Sequence, residues 1–188
     1  HRAGGTFRHP RVAPAPIECC GALATYDRRE DVIELCTPTQ VPHMIRDGLA
    51  RCLKHPESRI RVTTPDVGGA FGVKMPLYPE EVIVAHTARA LGHPVKWTQD
   101  RTEHMLTGFQ ARDAEIEAEL ACDADGLIVG LRALMWLDAG AYSSFPLGCS
   151  LEPHTAMVGL PGPYRVPYFE YESHAVATNK CPLGPYRG

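Results

Sequence analysis

The sequence predicts an α+β fold, with mixed sheets, one long β-hairpin and two amphipathic helices. Three observations carry that prediction: apolar residues recur at helical spacing in two well-bounded segments, they alternate at period two in a third, and short strand-like runs lie between them. The chain has 188 residues, 44% of them hydrophobic and 22% charged, enough for a sizeable core.

Along the chain, ALATYDRREDVIELCT, residues 22–37, reads as two short strands joined by a charged turn at Asp27 to Asp31. Val41, Met44, Ile45, Leu49 and Leu53 then repeat at helical spacing behind Pro42, which suits a first helical turn, so residues 42–53 are expected to be a helix. Arg59 to Thr63 reads as a strand. Pro79 opens a second helix, with Glu80 and Glu81 in its first turn, Val82 to Leu91 inside, and Gly92 and Pro94 to stop it. A strand over Val95 to Gln99 follows. Asp100, Arg101 and Glu103, just beyond, are read as a structural ion-pair and turn network rather than an acid–base dyad. Ile116, Ala118 and Leu120 alternate with Glu115, Glu117 and Glu119, Asp123 to Gly126 makes a turn, and Leu127, Val129, Leu131, Ala133, Met135 and Leu137 are expected on one face of the return strand. Beyond Asp138, the prolines 146, 153, 161, 163 and 167 favour extended walls and turns over long helices.

Composition excludes several functions. A net charge of −3, with basic residues scattered, lacks the footprint of a nucleic-acid binder. No apolar run is long enough to span a membrane, and the polar HRAGGTFRHP start resembles no signal peptide, so a cytoplasmic protein is expected. The seven cysteines, including the vicinal Cys19 and Cys20, form no C-x-x-C pair and are read as reduced thiols. Nine histidines give no H-E-x-x-H spacing, and His9, His55 and His93 precede proline, where loops are expected. The start at His1 and the turn-like GPYRG end suggest a piece of a longer protein.

The most informative segment is TPDVGGAFGVK, residues 64–74, a glycine-rich turn between a predicted strand and a predicted helix. Such a turn can aim backbone N–H groups at an anion. It is neither a Walker loop nor G-x-G-x-x-G. Phe71, an aromatic ring inside a glycine turn, suits a planar ligand lying against it.

GGAFGVK, preceded by TQVPH and followed by PVKWTQDRTEHM, together with RVAPAPIE, GPYRVPY and TNKCPLGPYRG, resembles the molybdopterin-binding large subunit of the xanthine dehydrogenase, aldehyde oxidase and carbon monoxide dehydrogenase family. The resemblance extends over the whole chain, which would make residues 1–188 part of the molybdenum cofactor-binding region. It implies oxidation or hydroxylation of an aldehyde or N-heterocycle with water as the oxygen source. It further implies a molybdopterin carrying molybdenum, of the cytosine dinucleotide form usual in bacteria, held through dithiolene sulfurs, with FAD and [2Fe–2S] centres on partner subunits or domains. Gln40 matches the glutamine that hydrogen-bonds a molybdenum oxo ligand. Its alternative reading is a helix cap. Gly68, Gly69, Ala70, Phe71 and Gly72 match the cofactor loop, where small residues would allow close approach of the pterin, and Arg187 matches the arginine of the active-site loop, its alternative reading being a solvated surface arginine. The family's catalytic glutamate is expected outside these residues, so residues 1–188 by themselves should be inactive.

Departures narrow the substrate. Met75 stands where purine-oxidising members carry glutamate and Thr155 near where they carry arginine, which argues against a purine. Gly188 replaces the cysteine of copper-containing carbon monoxide dehydrogenases, and Cys181 is read as a buried thiol rather than a copper ligand. Cys20 replaces an arginine of the family, with no consequence derivable from the residue alone. The readings from other classes are a non-catalytic nucleotide- or anion-binding module and an inactive truncated relic.

Overall fold

The computed structural model describes residues 1–187; Gly188, which bears on the carbon monoxide reading, lies outside the described residues. Two four-stranded mixed sheets form the α+β architecture. The first has the order β4-β3-β2-β5, from Gly21–Asp27 (β2), Val32–Cys36 (β3), Ile60–Thr63 (β4) and Val95–Thr98 (β5). β2 and β3 are the expected hairpin, β5 adds antiparallel to β2, and β4 adds parallel to β3.

Both predicted helices fall where the spacing puts them, Pro42–Leu53 (α1) and Pro79–Leu91 (α2). Proline at the first position presets φ without sacrificing a needed N–H, and left-handed residues, Lys54 and Gly92, end the two helices. Ile45 and Leu49 of α1 and Val84, Ala85 and Ala88 of α2 bury against Ala22, Ala24, Ile33, Leu35 and Ile60. This is the larger core. Met44, expected on the buried face, is 46% exposed, because that stripe is narrower than the sequence pattern.

The second sheet runs β1-β6-β7-β8, from Arg2–Val12, Ala111–Cys122, Ile128–Gly140 and Tyr168–Ala177. β6 and β7 are the long hairpin, turned at Asp123 to Gly126. Ala133, Met135 and Leu137 are buried as expected, against Met157. Leu127 and Val129 are exposed instead, because a bulge at Ala121/Cys122 breaks the alternation and the hairpin tip extends past the helix that covers its base.

Four elements go beyond the sequence reading. β1 and β8 flank the hairpin, β1 antiparallel and β8 parallel, and β1 places His9 in a strand rather than a loop. Arg101–Thr107 (α3) replaces the expected ion-pair network: Asp100 accepts from the Glu103 N–H at 2.7 Å and Glu103 from the Asp100 N–H at 2.9 Å, a reciprocal cap. Arg101 donates instead to the Pro16 and Ile17 carbonyls. Leu151–Gly159 (α4) forms despite Pro153, which occupies the first turn, where no intrahelical N–H is required. Cys20 is buried and Cys181 half-buried, and all seven cysteines are free thiols. No helix among the described residues is long and apolar enough to cross a membrane.

One buried carboxyl ties the first sheet to α2. The Tyr78 N–H donates to Glu81 Oε2 at 2.9 Å, and Thr37 Oγ1 lies 2.6 Å from Glu81 Oε1 and 3.0 Å from the Gly21 carbonyl. A single threonine proton cannot serve both oxygens, so a protonated Glu81 donating to Thr37 completes the chain. Burial pushes this carboxyl up to about 7. The folded state therefore holds the proton more tightly than the unfolded state, whose value is 4.5. The resulting stabilisation is fully present below the unfolded value and is lost as pH rises through the folded one. Denaturant unfolding should show about 3 kcal/mol of this loss between acid and pH 8. Glu81→Gln should flatten the dependence; an unchanged slope in that variant would overturn the assignment.

Candidate functional site

The glycine-rich turn joins β4 to α2 and is pinned from three sides. Val73 and Lys74 are its roots in the interior, Val73 packing with Cys20, Tyr78 and Phe109. The Lys74 side chain is 1% exposed, and its Nζ meets Glu18 Oε2 at 2.6 Å. The same Glu18 oxygen accepts the Gly68 N–H at 2.9 Å, while the Glu18 N–H donates to the Gly68 carbonyl at 3.2 Å. One carboxylate thus holds both ends of the loop. Its hydrogen bond from Lys74 holds the Glu18 carboxyl below its ordinary range.

From the second side, Gln40 Oε1 accepts the Gly72 N–H at 2.9 Å, and the Lys74 carbonyl accepts from the Gln40 N–H and Thr39 Oγ1, each at 3.1 Å. Gln40 is therefore not a helix cap; Val41 fills that position without a side-chain bond. An amide whose oxygen is committed has its orientation fixed, and its NH₂ group faces outward on an exposed residue.

The third side is the segment after β8. The Arg187 N–H donates to the Phe71 carbonyl at 3.0 Å, so Arg187 is brought to the turn from 116 positions away in the chain. The Phe71 ring is 49% exposed and Arg187 is exposed, while Ala70 is half-buried. Gln40, residues 68–72 and Arg187, the residues that the resemblance singles out, thus converge on one junction.

The glycines answer to protein neighbours. Gly72 has φ of +102° and is buried beneath Pro185, whose carbonyl oxygen a Cβ would strike. A Cβ on Gly68 would come within 2.7 Å of Glu18 Cβ, and one on Gly69 within 3.2 Å of Pro16 Cβ. Close crossing of three chain segments accounts for the lack of a side chain at all three.

Beside the junction lies a cavity of about 380 Å³, walled by Met75, Leu147, Leu151, Thr155, Leu183 and Tyr186 among others. Its lining is mainly apolar, and both positions noted as departures from the purine-oxidising pattern, Met75 and Thr155, face it. Larger depressions of about 530 and 590 Å³ lie over the second sheet, but they are lined by ion-paired surface groups such as Arg2 with Glu119 and Arg132 with Glu170, away from the junction. The smaller cavity is the one with site chemistry around it.

Sequence reasoning missed Arg112. It leaves β6 to bond the Tyr186 carbonyl at 2.9 Å and Glu152 Oε1 at 3.2 Å, at the cavity wall. An arginine in a charged, strand-like run carries no signal of such a role. Behind it, Arg11 and Lys180 each pair with both Asp113 and Asp138 at 2.7 to 3.1 Å, fastening the segment that leads to Arg187.

Known proteins resemble this chain over most or all of its length. The chain is 41% identical over its whole length to the large subunit of nicotine 6-hydroxylase from Paenarthrobacter nicotinovorans, covering 23% of that subunit. It is 37% identical over 94% of its length to the carbon monoxide dehydrogenase large chain of Hydrogenophaga pseudoflava, covering 22% of it. The crystal structure of quinoline 2-oxidoreductase from Pseudomonas putida 86 superposes on the whole chain with a TM-score of 0.96 at 41% identity, again with 24% of that chain covered. The chain therefore spans about a quarter of the length of these relatives. The family model of the molybdopterin cofactor-binding domain matches residues 1–188 in full, and the chain belongs to that family, the one found in the large subunits of the xanthine dehydrogenase, aldehyde oxidase and carbon monoxide dehydrogenase group.

Proposed function

We propose that this chain is the part of a molybdenum hydroxylase large subunit that cradles the cofactor, and that the whole protein oxidises an N-heterocycle or aldehyde with water as the oxygen source. The observation that carries the reading is the convergence of Gln40, residues 68–72 and Arg187 beside one apolar cavity. The residues present fit the group. An exposed aromatic ring, an outward amide NH₂ and a guanidinium offer stacking and hydrogen-bond donors to a planar, oxygen-rich, anionic ligand. Among the described residues no three His, Cys, Asp or Glu side chains are grouped to hold a metal. That donor set suits a metal that arrives within its own organic ligand.

When bound, the cofactor supplies the two-electron oxidation of the substrate carbon. The chain supplies position and donors. Gln40, held by its oxygen on the Gly72 N–H, would offer its NH₂ as a hydrogen-bond donor to an oxygen of the bound group, and one well-placed donor of that kind is worth about 2.7 to 4 kcal/mol in a transition state. Gly72 and Phe71 link that glutamine to the Arg187 segment, so the two sides of the site move as one. The mainly apolar cavity would admit a flat apolar substrate. We place the base that activates water outside residues 1–188, the cofactor in the cytosine dinucleotide form, FAD and [2Fe–2S] centres on partner subunits or domains, and the assembly in the cytoplasm.

Elemental analysis and dye reduction on the assembly purified from its own host test this reading. Stoichiometric molybdenum and reduction of a dye acceptor by quinoline or benzaldehyde, with ¹⁸O entering the product from labelled water, are expected. A well-folded assembly without molybdenum would sink it.

A further inference from the structure

The geometry points to Arg112 as a specificity-determining residue of the cavity, a guanidinium that donates to an acceptor atom on the edge of a planar heteroaromatic substrate. This deepens the proposed function and rests on it for the identity of the site.

Arg112 and Asp113 have φ of +68° and +66°, two consecutive non-glycine residues in the left-handed region inside a strand. L-residues rarely adopt that backbone, and it persists only where the surroundings hold it. Here they do. Opposite Asp113 in the ladder is Pro10, which has no N–H to give, and the register passes from Arg11↔Arg112 to His9↔Ala114 without a pair between. The kink interrupts the alternation of side chains. Asp113 is sent to Arg11 and Lys180, and Arg112 to the cavity wall.

There the guanidinium is held at two points, by the Tyr186 carbonyl at 2.9 Å and by Glu152 Oε1 at 3.2 Å. A guanidinium has five N–H bonds in a rigid fork, so three remain without a partner among the described residues. Its side chain is 33% exposed, and the cavity it borders is otherwise mainly apolar. Glu152 serves it from α4. Burial raises the Glu152 carboxyl above its ordinary range against the pull of Arg112, and Oε2 is buried with no donor among the described residues. A carboxyl kept in so unfavourable a place, on the same helix as Thr155, makes sense as the anchor that aims the arginine. Because Arg112 also grips Tyr186, the residue before Arg187, a substrate bound to it is registered against the Gln40 junction.

The test uses the full-length subunit in its assembly and two probes of the same shape, quinoline, with a ring-nitrogen acceptor, and naphthalene, without one. Equilibrium dialysis should show quinoline bound about tenfold tighter or more, the worth of one hydrogen bond to a charged donor. Arg112→Met should abolish that preference while leaving naphthalene affinity and molybdenum content within about twofold, and Arg112→Lys should restore part of it. Glu152→Leu, which keeps the arginine and removes its anchor, should reduce the preference without loss of naphthalene binding, and it decides the matter if Arg112→Met does not fold. An undiminished preference in Arg112→Met, or in Glu152→Leu where that variant has to decide, would overturn the proposal. So would equal loss of both probes, which marks a merely structural role. Binding needs no turnover: an assembly without molybdenum that still prefers quinoline through Arg112 would overturn the enzymatic reading alone.

Discussion

Gly72→Ala is expected to strip the protein of its cofactor, with molybdenum content falling by about tenfold or more. The position has no room and no freedom. An L-residue at its φ of +102° pays a backbone penalty of about 1 to 2 kcal/mol, and the new methyl group meets the Pro185 carbonyl, which is backbone and cannot swing aside as a flexible side chain could. The turn and the 178–187 segment must then separate. The Arg187 N–H to Phe71 bond goes with that separation, and the shifted backbone at residue 72 strains its N–H bond to Gln40, so all three parts of the site lose their common frame. Molybdenum analysis, together with hydrogen exchange over residues 68–74 and 178–187, reads both effects. Gly126→Ala is the control. Its φ is +84°, but nothing lies within 4 Å of the added carbon, at the tip of the long hairpin. It should cost only local strain and leave molybdenum untouched. Full molybdenum occupancy in Gly72→Ala would detach this loop from cofactor binding.

The helices and hairpins were legible because their signals are local. Pro42, Pro79 and Gly92 mark ends that depend on backbone chemistry alone: α1 and α2 begin, and α2 ends, where those residues place them. β1 was not legible. RAGGTFRHPRV is exposed along most of its length and is a strand through its ladder to β6, a partner more than a hundred residues away. The same holds for β8, whose parallel pairing with β7 is a tertiary fact. α3 did carry a signal, Asp100 with Glu103 three positions on, which is a capping pair before it is an ion-pair network. For the site, the glycine turn was legible from its own residues and Gln40 came with the family resemblance, whereas their contact was not legible from either. Nothing in spacing says that Gln40 Oε1 takes the Gly72 N–H, or that Glu18 clasps Gly68 and Lys74 together. Arg112 was beyond reach for a sharper reason: its role depends on a left-handed backbone that arginine does not advertise.

The proposed function gives Gln40 a donor role beside its brace on Gly72, and Gln40→Glu is the change that separates the two. A glutamate oxygen accepts the Gly72 N–H as the amide oxygen does, so the brace on the turn survives and molybdenum content should stay within about twofold. The NH₂ donor is lost and a negative charge takes its place, which in the proposed reaction would face an oxygen that itself gains charge. Turnover should fall by about 10²- to 10³-fold, the cost of removing one well-placed donor of this kind. Gln40→Ala differs in kind. It leaves the N–H of buried Gly72 unpaired, at a cost of about 1 to 3 kcal/mol, so it should lower molybdenum content as well as turnover. Measuring kcat per molybdenum in both variants separates the two roles. If Gln40→Glu retains full turnover per molybdenum while Gln40→Ala loses metal, Gln40 is a brace for the loop and the transition-state donor lies elsewhere.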